Sequence, residues 1–150
     1  MTDIDGVIVV PLKKFSDSRG WLTELFRKDE LPSGFTPAMS YISVTLPGVA
    51  RGPHEHHTQS DGFAFISGDF DLYLWENRPE KPLNSCILRV GESNPLFVIV
   101  PPGVVHAYKN SGPCDAFVLN FPDTLYAGQN KSEPVDEIRH EDDHNSRFKL

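Results

Sequence analysis

Residues 51–68 have the sequence RGPHEHHTQSDGFAFISG, in which three of the chain's six histidines occupy four positions. An aspartate, Asp61, and the apolar run 63–66 follow directly, and Gly68 ends the stretch. Histidine changes its charge near neutral pH and is a common metal ligand, so this grouping predicts a chemical site. In an extended segment His54 and His56 point to the same side, because successive side chains of a strand alternate.

A second stretch with a histidine, residues 101–106 (PPGVVH), directly follows the apolar run 96–100. Inward-facing residues of neighbouring strands converge in a small antiparallel barrel, so His106 and Asp61 can join His54 and His56. Such a group can hold a divalent metal or, without one, move protons. Asp61 precedes Gly62, a pair typical of turns, so we predict a turn position for Asp61 and keep the metal ligand as the alternative.

A chain of 150 residues predicts a single domain over 1–150 with a sizeable core. Thirteen prolines and eleven glycines separate short β-rich runs, a pattern typical of a mostly-β sandwich or barrel. The predicted strands are 6–11, 21–27, 39–46, 63–66, 70–75, 85–90, 96–100, 106–109 and 116–121. Residues from about 131 to 150 are dense in charge, and we expect a solvated tail that includes His140 and His144.

The net charge of −7 argues against a nucleic-acid partner, although it allows a local basic pocket for a phosphorylated small molecule. No apolar run approaches the length of a membrane-spanning helix. The N-terminal residues carry acids where a signal peptide needs bases. We therefore expect a cytoplasmic protein without a membrane partner.

The spacing of the histidines resembles the two motifs of the cupin superfamily. The first motif is matched by Gly48, His54, His56, Asp61 and Gly68, with aspartate where cupins usually carry glutamate, and the second by Pro101, Gly103, His106 and Asn110. The resemblance implies an all-β fold, a cupin-type double-stranded jelly-roll β-barrel with few short helices. It also implies a homodimer, which is common among cupins.

A narrower resemblance covers most of the chain. Residues 17–26 (DSRGWLTELF), 51–54 (RGPH), 68–78 (GDFDLYLWENR) and 100–106 (VPPGVVH) resemble four ordered segments of the dTDP-4-dehydrorhamnose 3,5-epimerases. The resemblance implies an epimerase or isomerase that needs no cofactor. Its substrate would be a 4-keto-6-deoxy sugar linked to a nucleotide diphosphate, since the keto group acidifies the neighbouring C–H bonds.

The same resemblance assigns roles to individual residues. It implies that His54 is the base that removes the proton and that His106 lines the same cavity. Arg19 and Arg51 would hold the diphosphate, since the planar guanidinium bonds phosphate oxygens in pairs. Glu24 matches a glutamate that contacts the nucleotide region.

Two residues of the epimerase pattern are missing. Phe63 stands where the family has a lysine, and Leu119 stands at the position of its tyrosine acid. Tyr41, Tyr108 or Tyr126 could supply the proton donor instead, and we take Tyr41 as the candidate.

The segment R-G-x-H-x-H also resembles the 3,4-ketoisomerases of dTDP-4-keto-6-deoxyglucose. That resemblance implies that His54 and His56 shuttle protons or contact the substrate, and it places Tyr41 on a strand where those enzymes carry a useful tyrosine. Two further hypotheses remain open. One is a metal-binding cupin enzyme that uses His54, His56, Asp61 and His106, and the other is a non-catalytic cupin that binds a sugar nucleotide.

Overall fold

Short apolar and β-branched runs, separated by glycine and proline, form the strands of the chain. The computed structural model describes residues 2–150. Its strands are β1 (Ile8–Pro11), β2 (Phe15–Asp17), β3 (Gly20–Leu22), β4 (Tyr41–Thr45), β5 (Ala50–Glu55), β6 (Asp61–Phe65), β7 (Asp69–Glu76), β8 (Ser85–Gly91), β9 (Leu96–Val100), β10 (Val104–Asn110), β11 (Ala116–Pro122) and β12 (Ile138–Arg139). Two short 3-10 turns, Gln129–Lys131 and His140–Asp142, follow the long strands.

Two five-stranded antiparallel sheets contain all the long strands. The first has the order β1-β9-β6-β11-β4 and the second the order β12-β5-β10-β7-β8, while β2 and β3 form a separate hairpin. From β4 to β7 the chain alternates between the two sheets. A single hairpin connection then joins β7 to β8 within the second sheet. The predicted all-β jelly roll with few short helices is confirmed.

The core lies between the sheets and also behind the first sheet. The inter-sheet cluster includes Phe65, Phe70, Leu72 and Val98. A second cluster on the other face of the first sheet includes Phe97. Because both faces are covered, β6 and β9 are buried along their whole length.

A bulge in β5 shapes the strand that carries His54. His106 pairs with His54 and Tyr108 pairs with Arg51, so β5 carries one residue more than β10 between these pairs. Gly52 lies within the bulge with φ +84°, and a Cβ there would lie 2.6 Å from the carbonyl oxygen of His106. Glycine is therefore needed for the two histidine strands to approach this closely.

Most predicted strands are confirmed within a few residues, but two expectations are wrong. The strand expected over 21–27 ends at Leu22, because its partner β2 is only three residues long. The expected solvated tail instead pairs with the second sheet through β12 and buries Phe148. His140 is also not solvated, since its Nε2 lies 2.8 Å from Glu55 Oε1. Among residues 2–150 no helix is long and apolar enough to cross a membrane.

Candidate active site

The bulged strand β5 and its neighbour β10 bring the predicted histidines together. His54 and His106 are cross-strand partners whose ring centroids are 4.5 Å apart. His56 lies just after β5, with its ring centroid 5.8 Å from both. The spacing of two residues therefore places His54 and His56 on one side of the sheet, as predicted.

Asp61 completes the cluster from the opposite sheet. Its Oδ2 lies 2.9 Å from His56 Nε2 and 3.2 Å from His106 Nε2, and its Oδ1 accepts a 2.8 Å hydrogen bond from Gln59 Nε2. The turn position predicted for Asp61 is wrong, because the residue begins the buried strand β6. Gly62 allows this, since a Cβ there would lie 2.9 Å from the ring of Phe35.

Backbone carbonyls orient two of the imidazoles. His56 Nδ1–H donates to the carbonyl of Asp136, and His106 Nδ1–H donates to the carbonyl of Val104 at 3.0 Å. Both rings consequently turn Nε2 toward Asp61. His106 Nε2 is buried and has no hydrogen bond of good geometry within the described part of the chain.

Burial and charge separate the protonation states of the cluster. Burial, together with the nearby His106, lowers the pKa of His54 to about 2. Burial also acts to lower the pKa of His56, but the hydrogen bond and charge of Asp61 outweigh it and raise that pKa to about 9. Burial acts to raise the pKa of Asp61, but the close approach of His106 and the contact with His56 outweigh it and hold that pKa below its ordinary value. His54 is thus a neutral base beside a charged pair.

Three members of the cluster, His54, His56 and Asp61, line a cavity of about 1290 Å³, whereas His106 is buried and, contrary to expectation, does not line it. This volume exceeds the roughly 300–1,000 Å³ of sites for drug-sized ligands and leaves room for a nucleotide-linked sugar. The opposite wall carries Tyr41, Ser43 and Asn120, and the rim carries Tyr126. As predicted, Tyr41, Ser43 and Thr45 share one face of β4.

The three candidate tyrosines are placed differently. Tyr108 is buried, and its hydroxyl lies 2.8 Å from Ser43 Oγ. Tyr126 is largely exposed at the rim. Tyr41 lines the cavity and is 48% exposed, and partial burial together with the charge of Asp61 raises the pKa of its hydroxyl above the ordinary value. Tyr41 therefore keeps its proton at neutral pH.

The two residues that depart from the epimerase pattern lie in different surroundings. Phe63 occupies the cavity floor, with its ring 5.4 Å from that of His106. Leu119 packs into the cluster behind the first sheet, and the adjacent Asn120 faces the cavity in its place. Neither position offers a charge or a proton donor of the kind the epimerases use.

Of the predicted substrate-binding residues, the single chain brings only some to the cavity. Arg51 lines it and donates from Nε to Thr45 Oγ1 at 3.1 Å. Arg19 and Glu24 lie away from it, on and after the β2–β3 hairpin. The side chain of Arg19 is 86% exposed and pairs with Asp17 at 2.6 Å, and Glu24 lies 3.6 Å from Arg27.

Several cavity residues were not predicted from the sequence. Asp136 and Gln59 contact the histidine cluster, and Asn120 bonds Ser43 Oγ at 3.1 Å. The polar stretch after Asp123 carries no periodic pattern that would have revealed Asp136. Asn120 could have been predicted as a cavity residue, because it is a polar residue within a predicted apolar strand.

Two facing antiparallel sheets around a cavity with three histidines and an aspartate define a cupin-type protein. Residues 15–133 match the polysaccharide biosynthesis C-terminal domain family. A probable low-salt glycan biosynthesis epimerase, Agl13, of Haloferax volcanii is 32% identical over 136 residues, covering 89% of this chain and 87% of that protein. The chain belongs to the polysaccharide biosynthesis C-terminal domain family.

Solved structures share the fold at lower identity. A dTDP sugar isomerase from Desulfovibrio desulfuricans G20 superposes with a TM-score of 0.82 at 20% identity, over 93% of this chain and 86% of that chain. The dTDP-6-deoxy-D-glucose-3,5-epimerase from Legionella pneumophila, solved with dTDP-4-keto-L-rhamnose, gives 0.78 at 19% identity, over 92% and 74%. The predicted resemblance to this epimerase fold is confirmed.

Proposed function

We propose that this protein is an epimerase or isomerase of a 4-keto-6-deoxy sugar linked to a nucleotide diphosphate. The observation that carries the proposal is His54, a neutral imidazole on the wall of a cavity large enough for such a substrate. The glycan epimerase among the relatives supports the reaction type, and the dTDP-sugar enzymes of the same fold support the substrate class. We place the reaction in polysaccharide biosynthesis, in the cytoplasm and without a cofactor.

The proposed chemistry is a proton removal and return beside the keto group. His54 takes the proton from the carbon next to the carbonyl, for which a neutral imidazole is required. Tyr41 stands on the first sheet, across the cavity from His54 on the second, and its retained proton suits a donor to the other face of the sugar. His106 supports His54 at ring contact, and His56 contacts the sugar.

The nucleotide diphosphate needs positively charged partners. Of the two arginines predicted to hold it, only Arg51 lines the cavity of the same chain. We propose that a second copy supplies Arg19 and Glu24, so that the working form is a homodimer. The hairpin that carries Arg19 exposes Phe15, Trp21 and Leu22, and the edge strand β4 exposes Ile42 and Val44. Exposed apolar strands without a neighbour are typical of surfaces that pair with another chain.

The test is incubation with dTDP-4-keto-6-deoxyglucose in D₂O, followed by proton NMR, with the His54→Asn variant as the control. Deuterium at C3 and C5 supports a 3,5-epimerase. Deuterium at C3 alone, with the keto group moved, supports the 3,4-ketoisomerase alternative. If dTDP-, UDP-, GDP- and CDP-linked keto sugars bind without exchange, the enzyme proposal is wrong and the non-catalytic binding alternative stands.

A metal-binding enzyme is the second candidate, and the donor set favours it. One ligand atom from each of His54, His56, Asp61 and His106 lies within 4.8 Å of every other. Three imidazoles and a carboxylate suit zinc or another divalent transition metal, and carbonyl bonds at Nδ1 are how metal-ligating histidines are usually oriented. A bound metal would act as a Lewis acid on the keto oxygen.

Metal analysis separates the two candidates. Protein purified without chelator should contain less than stoichiometric metal if His54 acts as a free base, and chelator should leave the deuterium exchange unchanged. Stoichiometric metal that disappears in the His106→Ala variant, together with exchange that stops on chelation, would establish the metal enzyme instead.

A further inference from the structure

The C-terminal segment, residues 134–150, lies outside the residues that match the family but forms part of the cavity. Val135, Asp136, Glu137 and Arg139 line the cavity. Strand β12 pairs with β5 at Glu55 and at His54 itself. The segment is therefore placed to act directly on the histidine cluster.

Asp136 makes the densest set of contacts in this segment. Its carboxylate accepts hydrogen bonds from the amides of His57 at 2.8 Å, Thr58 at 2.8 Å and Gln59 at 3.0 Å, and from Thr58 Oγ1 at 2.8 Å. Three successive amides aimed at one carboxylate form a strong anchor, because hydrogen bonds to an ionised acceptor are about twice as strong as neutral ones. The carboxylate thereby fixes residue 136 against the loop that follows β5.

The carbonyl of the same residue accepts the proton on His56 Nδ1. A carbonyl can only accept, so it fixes the proton on Nδ1 and turns Nε2 toward Asp61. The loop held by the carboxylate ends at Gln59, whose side chain donates to Asp61 Oδ1 and accepts from Thr124 Oγ1 at 2.6 Å. Asp136 thus braces both partners of the His56–Asp61 pair.

A second set of contacts holds the segment to the outer side of the second sheet. Glu55 Oε1 accepts from Asn77 Nδ2 at 2.7 Å and lies 2.8 Å from His140 Nε2. Arg147 donates to Asn77 Oδ1 at 2.6 Å, and the ring of Phe148 lies 4.7 Å from that of His140. These contacts do not involve Asp136, so the segment should stay folded when the Asp136 carboxylate is removed.

We propose that Asp136 is a positioning residue: its carboxylate anchors the loop 57–59, and its carbonyl accepts the Nδ1 proton of His56 and sets the orientation of the ring. The catalytic consequence rests on the proposed function. The orientation of His56 does not, because it follows from contacts within the chain. A displaced imidazole loses alignment with the reacting atoms, and misplacement of about 1 Å can reduce turnover about a hundredfold.

The test compares Asp136→Asn with Asp142→Asn in the chain of 150 residues. Both variants neutralise a carboxylate of the C-terminal segment, but Asp142 lies outside the cavity lining and pairs with Arg139 at 3.2 Å instead of with the loop 57–59. In Asp136→Asn the amide group cannot accept all four bonds, so the loop should loosen. Asp136→Ala serves as the second variant, and thermal unfolding establishes that each variant is folded.

The first readout needs no substrate. Long-range ¹H–¹⁵N spectra of the histidines should show His56 protonated at Nδ1 in the wild type and in Asp142→Asn, with that signal shifted or averaged in Asp136→Asn. Hydrogen exchange at Thr58 and Gln59 should quicken about tenfold or more in Asp136→Asn alone. An unchanged His56 signal in both Asp136 variants would overturn the proposal.

The second readout is kinetic. If the proposed function holds, Asp136→Asn should lower kcat about tenfold to a hundredfold and leave KM within about twofold, because the substrate still binds Arg51. Equal loss in Asp142→Asn would also overturn the positioning role. A wild type without turnover but with the expected His56 signals would refute the proposed function and leave the positioning role established.

Discussion

The cavity wall of β5 and β10 and the β2–β3 hairpin differ in how far one chain can complete them. In the wall, His54 and His106 pair across adjacent strands of one sheet, and the core behind them is buried. In the hairpin, Arg19 projects into solvent and pairs with Asp17 two residues away, and Trp21 is 46% exposed. Two segments that resemble the same epimerases thus differ: residues 51–54 form a cavity wall within one chain, whereas the β2–β3 hairpin stays exposed on its surface.

A short motif specifies a site only when the local structure alone brings its residues together. Residues two apart on a strand share a face, so the sequence H-x-H needs only a sheet to become a site. The Arg19 motif lies on two strands of three residues each, which no other strand of the described chain extends. Such a motif specifies chemistry without specifying where that chemistry is used.

The largest effect is expected from His54→Asn. The amide keeps much of the shape of the ring but cannot remove the proton, so deuterium incorporation should fall about 10²–10⁴-fold. His57→Asn, at the exposed histidine three residues further on, is the matched control and should keep wild-type exchange. Equal losses in both variants would show that the cavity wall is not the reaction site.

A stability comparison comes next. Phe65 is fully buried between the sheets, and Phe65→Ala should lower the free energy of unfolding by about 3–5 kcal/mol. Phe15 in the hairpin is 46% exposed, and Phe15→Ala should mainly change the dependence of the urea midpoint on protein concentration, as expected for a weakened dimer. A similar concentration-independent loss in both variants would contradict the distinction between the two regions.

Most of the fold could be predicted, because each strand has a recognisable local sequence pattern. Residues 70–75 alternate between buried and partly exposed side chains, with Phe70, Leu72 and Leu74 on the buried face, and residues 96–100 form an apolar run that is buried on both faces. The convergence of His54 and His106 on one site followed from the spacing of the two cupin motifs. In each case the determinant is a side chain and its near neighbours, which a sequence displays directly.

The missed features depend on contacts between distant residues. Asp61-Gly62 resembles a turn, but Phe35 and Phe97 close over Gly62 and convert the pair into the start of a strand. The charged residues after 133 resemble a solvated tail, but Phe148 and the Asp136 carboxylate hold them to the sheet. Neither outcome leaves a periodic signal, since each rests on one or two long-range contacts.

Mixing two impaired variants tests whether Arg19 of the hairpin acts in the cavity of a partner subunit. Arg19→Ala removes the phosphate contact and should raise KM about tenfold. Co-refolded with His54→Asn at equal amounts, it should regain about a quarter of wild-type activity at low substrate, because half of the dimers then contain one intact site.

The complementation has a built-in control. The double variant Arg19→Ala/His54→Asn, co-refolded with wild type, carries both mutations on one chain. In each mixed dimer the wild-type cavity then receives a hairpin without Arg19, and the variant cavity lacks His54, so neither site has both residues. If mixing the single variants restores nothing, Arg19 serves its own chain or no site at all, and the homodimer proposal loses its main support.

The smallest expected effect is the response of kcat to pH. A base acts when it has lost its proton, that is above its pKa, and burial lowers the pKa of His54 to about 2 from an ordinary value of 6.5. An acid acts below its pKa, and burial raises that of Tyr41 above its ordinary value of 10.0. His56 keeps its proton until its pKa of about 9. The rate of exchange should therefore stay constant from about pH 5 to about pH 8. A loss of activity on acidification near 6.5 would mean that His54 titrates as it does in water, and that the cavity wall is as open to solvent as the hairpin.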